Sequence, residues 1–163
     1  MGSGMDNKTK KLALSGMLCG VTMLLTLISL PLPSGYGYIN LGDCGVLFGA
    51  LLLPMGYACA AAGIGGALAD LILGYGVYAP ATLAIKALTA LACSLLLKTM
   101  PYKYRLIAMF VAALLVPLGY LAYELIIVGK GAIVNVPVNA LQSTIGAVVA
   151  YAMSFFIKKT PEA

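Results

Sequence analysis

Long apolar runs, each closed by a short cluster of Gly, Pro, Lys or Asn, divide the chain into segments at 12–30, 41–55, 57–74, 79–98, 106–128 and 134–157. A hydrocarbon core of about 30 Å needs about 20 helical residues, fewer where the bilayer is thin. The pattern therefore predicts six membrane-spanning helices. The second and third are joined tightly around Pro54-Met55-Gly56. The fourth closes at Lys98-Thr99-Met100-Pro101, and Gly129-Lys130-Gly131 separates the last two. No connection is long enough to hold a soluble domain. Residues 1–4 read as an expression remnant, which leaves 5–163 as a single six-helix domain.

Composition points the same way. The chain is 62% hydrophobic and 9% charged, with a mean hydropathy of +1.02. A soluble domain carries roughly a quarter charged residues, so this surface faces lipid. The predicted fold class is an all-α integral membrane protein, a bundle of six transmembrane helices.

Charge then orients the bundle. The N-terminus, the 98–105 connection and the C-terminus carry Lys8, Lys10, Lys11, Lys98, Lys103, Arg105, Lys158 and Lys159, whereas the opposite side carries only Lys130. Basic residues accumulate on cytoplasmic loops. Both termini are therefore expected in the cytoplasm of a bacterial or archaeal cell, with the stretch PSGYGYINLGD facing outward. The net charge of +5 follows from this asymmetry and does not imply nucleic-acid binding.

Ionisable groups inside spans are costly and mark functional sites by default. Here they are Asp43, Asp70, Lys86 and Glu124, and the last span adds Asn135, Asn139 and Gln142 on one helical face. With the orientation above, all seven fall in the outer half of the membrane. This is the pattern of a cup open outward, not of a channel or proton relay. Tyr36 and Tyr38, and Tyr75 and Tyr78 with their flanking glycines, suit a lid over such a cup; an interfacial aromatic belt is the other reading. Plainer roles also exist for Asp43 as a first-turn acid, for Asp70 with Lys86 as a structural ion pair, and for Asn135 as a cap ahead of Pro137.

No histidine is present, and Cys19, Cys44, Cys59 and Cys93 have no CxxC spacing. Metal sites and a disulfide framework are therefore disfavoured, no cofactor is expected, and the thiols read as packing residues. A membrane enzyme using Asp70, Glu124 and Lys86 is the alternative from another class, but it lacks an activated nucleophile pair. No GxxxxGK[ST] phosphate loop occurs. A binding cup without a motor implies a motor on other chains. On the first span Gly16 and Gly20, flanked by Ser15 and Cys19, make a small-residue strip near the cytoplasmic end, where another helix can approach closely. Ala58, Ala62, Gly66 and Asp70 make a second strip suited to internal packing.

Three stretches carry a resemblance: Gly37-Tyr38-Ile39-Asn40-Leu41-Gly42-Asp43, Ala67-Leu68-Ala69-Asp70-Leu71-Ile72-Leu73-Gly74, and Tyr78-Ala79-Pro80-Ala81-Thr82-Leu83-Ala84-Ile85-Lys86. Together they resemble the substrate-binding S component of energy-coupling factor (ECF) vitamin transporters, in its riboflavin-type branch. The resemblance implies six helices, vitamin capture from outside, and a partner module of a T subunit and two ATPases. The residues expected to bind substrate, from the outer polar cluster and its loops, are Tyr36, Tyr38, Asn40, Asp43, Asp70, Tyr75, Tyr78, Lys86, Glu124, Asn135, Asn139 and Gln142. Ser15, Gly16, Cys19 and Gly20 occupy the place of the family's T-subunit docking strip, without its alanine pair. Three carboxylates against one ammonium give the cup a formal charge of about −2. Carboxylate vitamins are therefore disfavoured, and pyridoxine or hydroxymethylpyrimidine is expected ahead of riboflavin.

Overall fold

The computed structural model describes residues 7–32 and 37–156. Its helices are α1 (Asn7–Leu27), α2 (Gly42–Leu52), α3 (Met55–Ile72), α4 (Ala79–Thr99), α5 (Arg105–Ala113), α6 (Leu115–Ile127) and α7 (Val136–Ser154). Short 3₁₀ turns at Tyr102–Tyr104 and Gly129–Asn135 lead into α5 and α7. Because α5 and α6 continue one another, the described residues form six helical rods. Five of these are long and apolar enough to cross a membrane.

Two prolines account for the departures from regular spans. Pro117 has no N–H to offer the Ala113 carbonyl four residues back, so the fifth rod breaks at Leu114. Pro54 pushes the residue before it out of helical geometry, and Leu53 is accordingly extended at φ −110°, ψ 150°. α2 therefore stops after 11 residues, a reach of about 16 Å against a hydrocarbon thickness of about 30 Å. The expected second span, 41–55, is thus shorter than the pattern indicated.

The first span also ends early. Ser29–Pro31 (β1) pairs antiparallel with Tyr38–Asn40 (β2), with Ser29 opposite Asn40 and Pro31 opposite Tyr38. The sequence pattern does not predict this hairpin, because a three-residue strand leaves no readable alternation. Pro31 is tolerated there since a two-stranded ribbon has only edges. Residues 33–36, including Tyr36, lie outside the described residues.

Small residues bring the rods together. A methyl group on Gly63 would stand 2.7 Å from the Leu83 carbonyl of α4, and one on Gly65 would stand 2.6 Å from the Cys19 carbonyl of α1. Close backbone approach of this kind is what holds helices in a solvent as apolar as their own side chains. The half of the bundle next to the 99–105 connection is filled by Leu47, Cys93, Met109, Ala112, Ala147 and their neighbours. Buried charge collects at the other half, nearer the hairpin.

Candidate ligand cavity

Asp70 reaches the hairpin end of the bundle on the strip that α3 turns toward α4. Ala58, Ala62 and Gly66 on that strip are buried, and a methyl group on Gly66 would meet the Thr82 side chain at 2.8 Å. This close crossing sets Asp70 beside the first turns of α4. The Tyr38 hydroxyl donates to Asp70 Oδ1, tying β2 to α3. Asp70 Oδ2 is buried and makes no hydrogen bond of ordinary geometry within the protein, with the Thr82 side chain close beside the carboxyl group. A buried acceptor left without a well-formed hydrogen bond is costly.

Glu124 of α6 stands on the opposite wall. Its Oε1 accepts from the Tyr78 hydroxyl at 3.3 Å, and its Oε2 accepts from Asn135 Nδ2 at 3.0 Å. Between the two acids, Thr82 Oγ1 and the Tyr120 hydroxyl lie 2.9 Å apart. Tyrosine rings close the rim. Tyr38 and Tyr75 have centroids 4.9 Å apart, Tyr75 and Tyr78 6.3 Å, and Tyr78 and Tyr120 6.4 Å, all tilted or edge-on. Burial raises the hydroxyl pKa of Tyr38 and of Tyr78, and the neighbouring carboxylates of Asp70 and Glu124 push the same way. Both hydroxyls therefore remain protonated donors near neutral pH.

The floor is a chain of hydrogen bonds whose directions are all dictated. The Lys86 ammonium can only donate and does so to Asp43 Oδ1; both side chains are 1% exposed. Asp43 Oδ2 accepts from Gln142 Nε2 at 2.8 Å. With its amide nitrogen engaged, Gln142 presents its oxygen to Asn40, accepting from the backbone N–H at 2.8 Å and from Nδ2 at 3.1 Å. Asn40 Oδ1 in turn takes the Gly42 N–H at 2.8 Å. Room for the pair comes from glycines: a methyl group on Gly146 would stand 2.7 Å from Asp43 Cβ, and one on Gly66 3.2 Å from Lys86 Cγ.

Above this floor lies a polar cavity lined by Leu32, Gly37, Tyr38, Asn40, Asp70, Tyr78, Thr82, Tyr120, Glu124, Asn139 and Gln142. Its open space is about 20 Å³, room for roughly one water. A larger groove of about 370 Å³ lies behind Asn40 and Gln142, walled by Ile28, Leu30, Ile39, Leu41 and Ile145. That groove is apolar and carries no titratable group.

Seven of the residues expected from the sequence meet at the polar cavity: Tyr38, Asn40, Asp70, Tyr78, Glu124, Asn139 and Gln142. Tyr75 packs on the rim against Tyr38, and Asn135 stands behind Glu124; its side chain makes no cap on α7. Asp43 and Lys86 belong to the floor and do not line the cavity themselves. The ion pair weighed for Asp70 and Lys86 forms between Asp43 and Lys86 instead. Tyr120 and Thr82 were not singled out, although each sits four residues from a residue that was, on the same helical face as Glu124 and Lys86 respectively. On α1 the small-residue strip divides. Ser15 is buried, its hydroxyl donating to the Tyr57 carbonyl at 3.1 Å, and Cys19 abuts Gly65, whereas Gly16 and Gly20 have no atom within 4 Å of where a Cβ would stand.

Comparison with known proteins agrees with this architecture. The model of the family described as "ECF-type riboflavin transporter, S component" matches residues 6–159. A protein of Pyrococcus woesei, described as "Uncharacterized protein in gap 3'region", is 29% identical over 141 residues, covering 85% of this chain and 95% of that protein. The chain belongs to the ECF-type riboflavin transporter S component family: it is a multi-pass membrane protein and the vitamin-binding subunit of an ECF transporter, not an enzyme.

Proposed function

We propose that the polar cavity captures a small, neutral or weakly basic heteroaromatic vitamin, with pyridoxine or hydroxymethylpyrimidine ahead of riboflavin. The observation that carries this reading is the buried, unpartnered Oδ2 of Asp70 at the cavity wall. With Lys86 paired to Asp43 in the floor, Asp70 and Glu124 face a cavity whose lining carries no cation. A ligand hydroxyl, amino group or protonated ring nitrogen satisfies Asp70, and an anion meets two carboxylates. The tyrosines of the rim offer faces for a ring.

Size supports the order of preference. An open space of about 20 Å³ is far below the 300 Å³ or more typical of ligand pockets, so any vitamin displaces part of the rim, and a single ring displaces least. Riboflavin is the second reading, favoured by the description of the matching family. Isothermal titration of the purified protein against pyridoxine, hydroxymethylpyrimidine, riboflavin and biotin tests the proposal. Tight binding of biotin with none of the neutral rings would overturn it.

Two further parts of the assignment are proposals of the same kind. Both termini lie in the cytoplasm, on the basic-residue asymmetry, which places the cavity at the outer surface. ECF S components work with a T subunit and ATPases; the outward-turned Gly16 and Gly20 of α1 are the proposed T-subunit contact.

A further inference from the structure

Because α2 ends at Leu52 while α4 continues to Thr99 and α5 begins at Arg105, the short helix leaves a gap at its far end. A cavity of about 210 Å³ occupies this gap, at the opposite end of the bundle from the vitamin cavity. One wall is apolar and includes Leu51, Leu53 and Leu97; the other carries Ser94, Lys98 and Arg105, and no carboxylate lines it. Ser94 and Lys98 are four residues apart and share a face of α4. The Ser94 hydroxyl is buried and has no hydrogen-bond partner in the protein, in a side chain 4% exposed. Arg105 is held over the Tyr102 ring, 4.1 Å from its centroid, which limits the freedom of its guanidinium before any ligand arrives.

Two cations, a buried hydroxyl short of a partner and an apolar wall make an amphiphilic site, and the apolar helix surface continues outward through Leu95 and Ile107, both about half exposed. A bare oxyanion would use the cations and leave the leucine wall unfilled. A zwitterionic lipid would bring its own cation against Lys98 and Arg105. We infer that this cavity binds the headgroup of an anionic phospholipid, with its phosphate between Lys98 and Arg105 and its glycerol and upper acyl chain along Leu51, Leu53 and Leu97. Basic pockets between helices on the cytoplasmic side are suited to such headgroups.

The test is a native mass spectrometry titration of the purified protein with phosphatidylglycerol and with phosphatidylcholine of the same acyl chains. Phosphatidylglycerol should bind in preference. Lys98→Gln and Arg105→Gln should each weaken it by about tenfold, more than the roughly fivefold expected of one surface charge. Lys103→Gln, whose side chain lies on the same connection but does not line the cavity, should change it less than about twofold. Ser94→Leu, which fills the inner end without altering charge, should also weaken binding. Equal affinity for the two lipids would overturn the inference. A loss with Lys103→Gln as large as with Lys98→Gln would overturn it too, by making the attraction a property of the whole basic surface. In a parallel thermal-shift arm, inorganic phosphate stabilising the protein as strongly as phosphatidylglycerol would assign the site to a soluble anion instead.

Discussion

Lys86 of α4 gives its ammonium to Asp43 of α2 and leaves Asp70, on the neighbouring α3, to the Tyr38 hydroxyl. This division decides the electrostatics of the cavity. The pair in the floor is neutral as a unit, and no basic residue lines the cavity beside the two acids of the wall. The same pair orients Gln142, and through it Asn40 of the hairpin strand. Asp43 and Lys86 thus hold Gln142 and Asn40 in place, and neither lines the cavity.

If that is right, the two residues are strongly coupled. Lys86→Met alone strands a buried carboxylate and should cost several kcal/mol of stability, by analogy with buried pairs broken on one side, about 3–5 kcal/mol. Asp43→Asn combined with Lys86→Met should recover most of that loss, since replacing both charges is often close to neutral. Unfolding of the single and double variants in detergent measures the coupling. Additive losses would show that the pair makes no such unit.

Asp70→Asn preserves shape and replaces the unpartnered oxygen by an amide nitrogen. A hydrogen bond to a charged group contributes about 1.5–3 kcal/mol, so affinity for the bound vitamin should fall roughly 10- to 150-fold. The measurement is calorimetric titration with whichever neutral ring binds the wild type, paired with a melting curve to establish that the variant is folded. Unchanged affinity would remove Asp70 from the site.

Glycines on the outward face of α1 and on the α3 face packed against α1 should behave in opposite ways. A Cβ at Gly16 or at Gly20 would meet no atom within 4 Å, so with Gly16→Leu or Gly20→Leu the isolated protein should fold and bind vitamin normally while uptake by the assembled transporter is lost. Gly65→Ala sets a methyl group 2.6 Å from the Cys19 carbonyl and should destabilise the protein by about 1–3 kcal/mol, as overpacking does. Loss of vitamin binding in Gly16→Leu, in step with uptake, would make that face internal packing and defeat the docking proposal.

Orientation is checked with single cysteines in a background lacking Cys19, Cys44, Cys59 and Cys93. Lys130→Cys should react with an impermeant thiol reagent on intact cells, and Lys103→Cys only after permeabilisation. Both side chains are exposed, so access through the membrane is what the comparison reads. The reverse pattern would invert the bundle and place the cavity at the cytoplasmic face.

Six apolar stretches, their order and the gathering of polar groups toward one end were legible in the sequence, because hydropathy and charge bias are sums over neighbouring residues. Asp70, Glu124, Asn139 and Gln142 could be read for the same reason: a polar group inside an apolar run stands out wherever the run packs. The strip from Ala58 to Gly66 was readable as internal packing from its spacing alone. What tertiary structure decided was the direction in which each helix faces and what it meets there. Lys86 had two acids within plausible reach, and rotation of α2 and α4 against the gap left by Gly66 and Gly146 chose Asp43. The same rotation divided the α1 strip, turning Ser15 and Cys19 onto α3 and Gly16 and Gly20 away from it. Residues 43 and 86 are far apart in the chain, and no local pattern encodes their meeting; it depends on how closely backbones approach, which only the packed bundle settles.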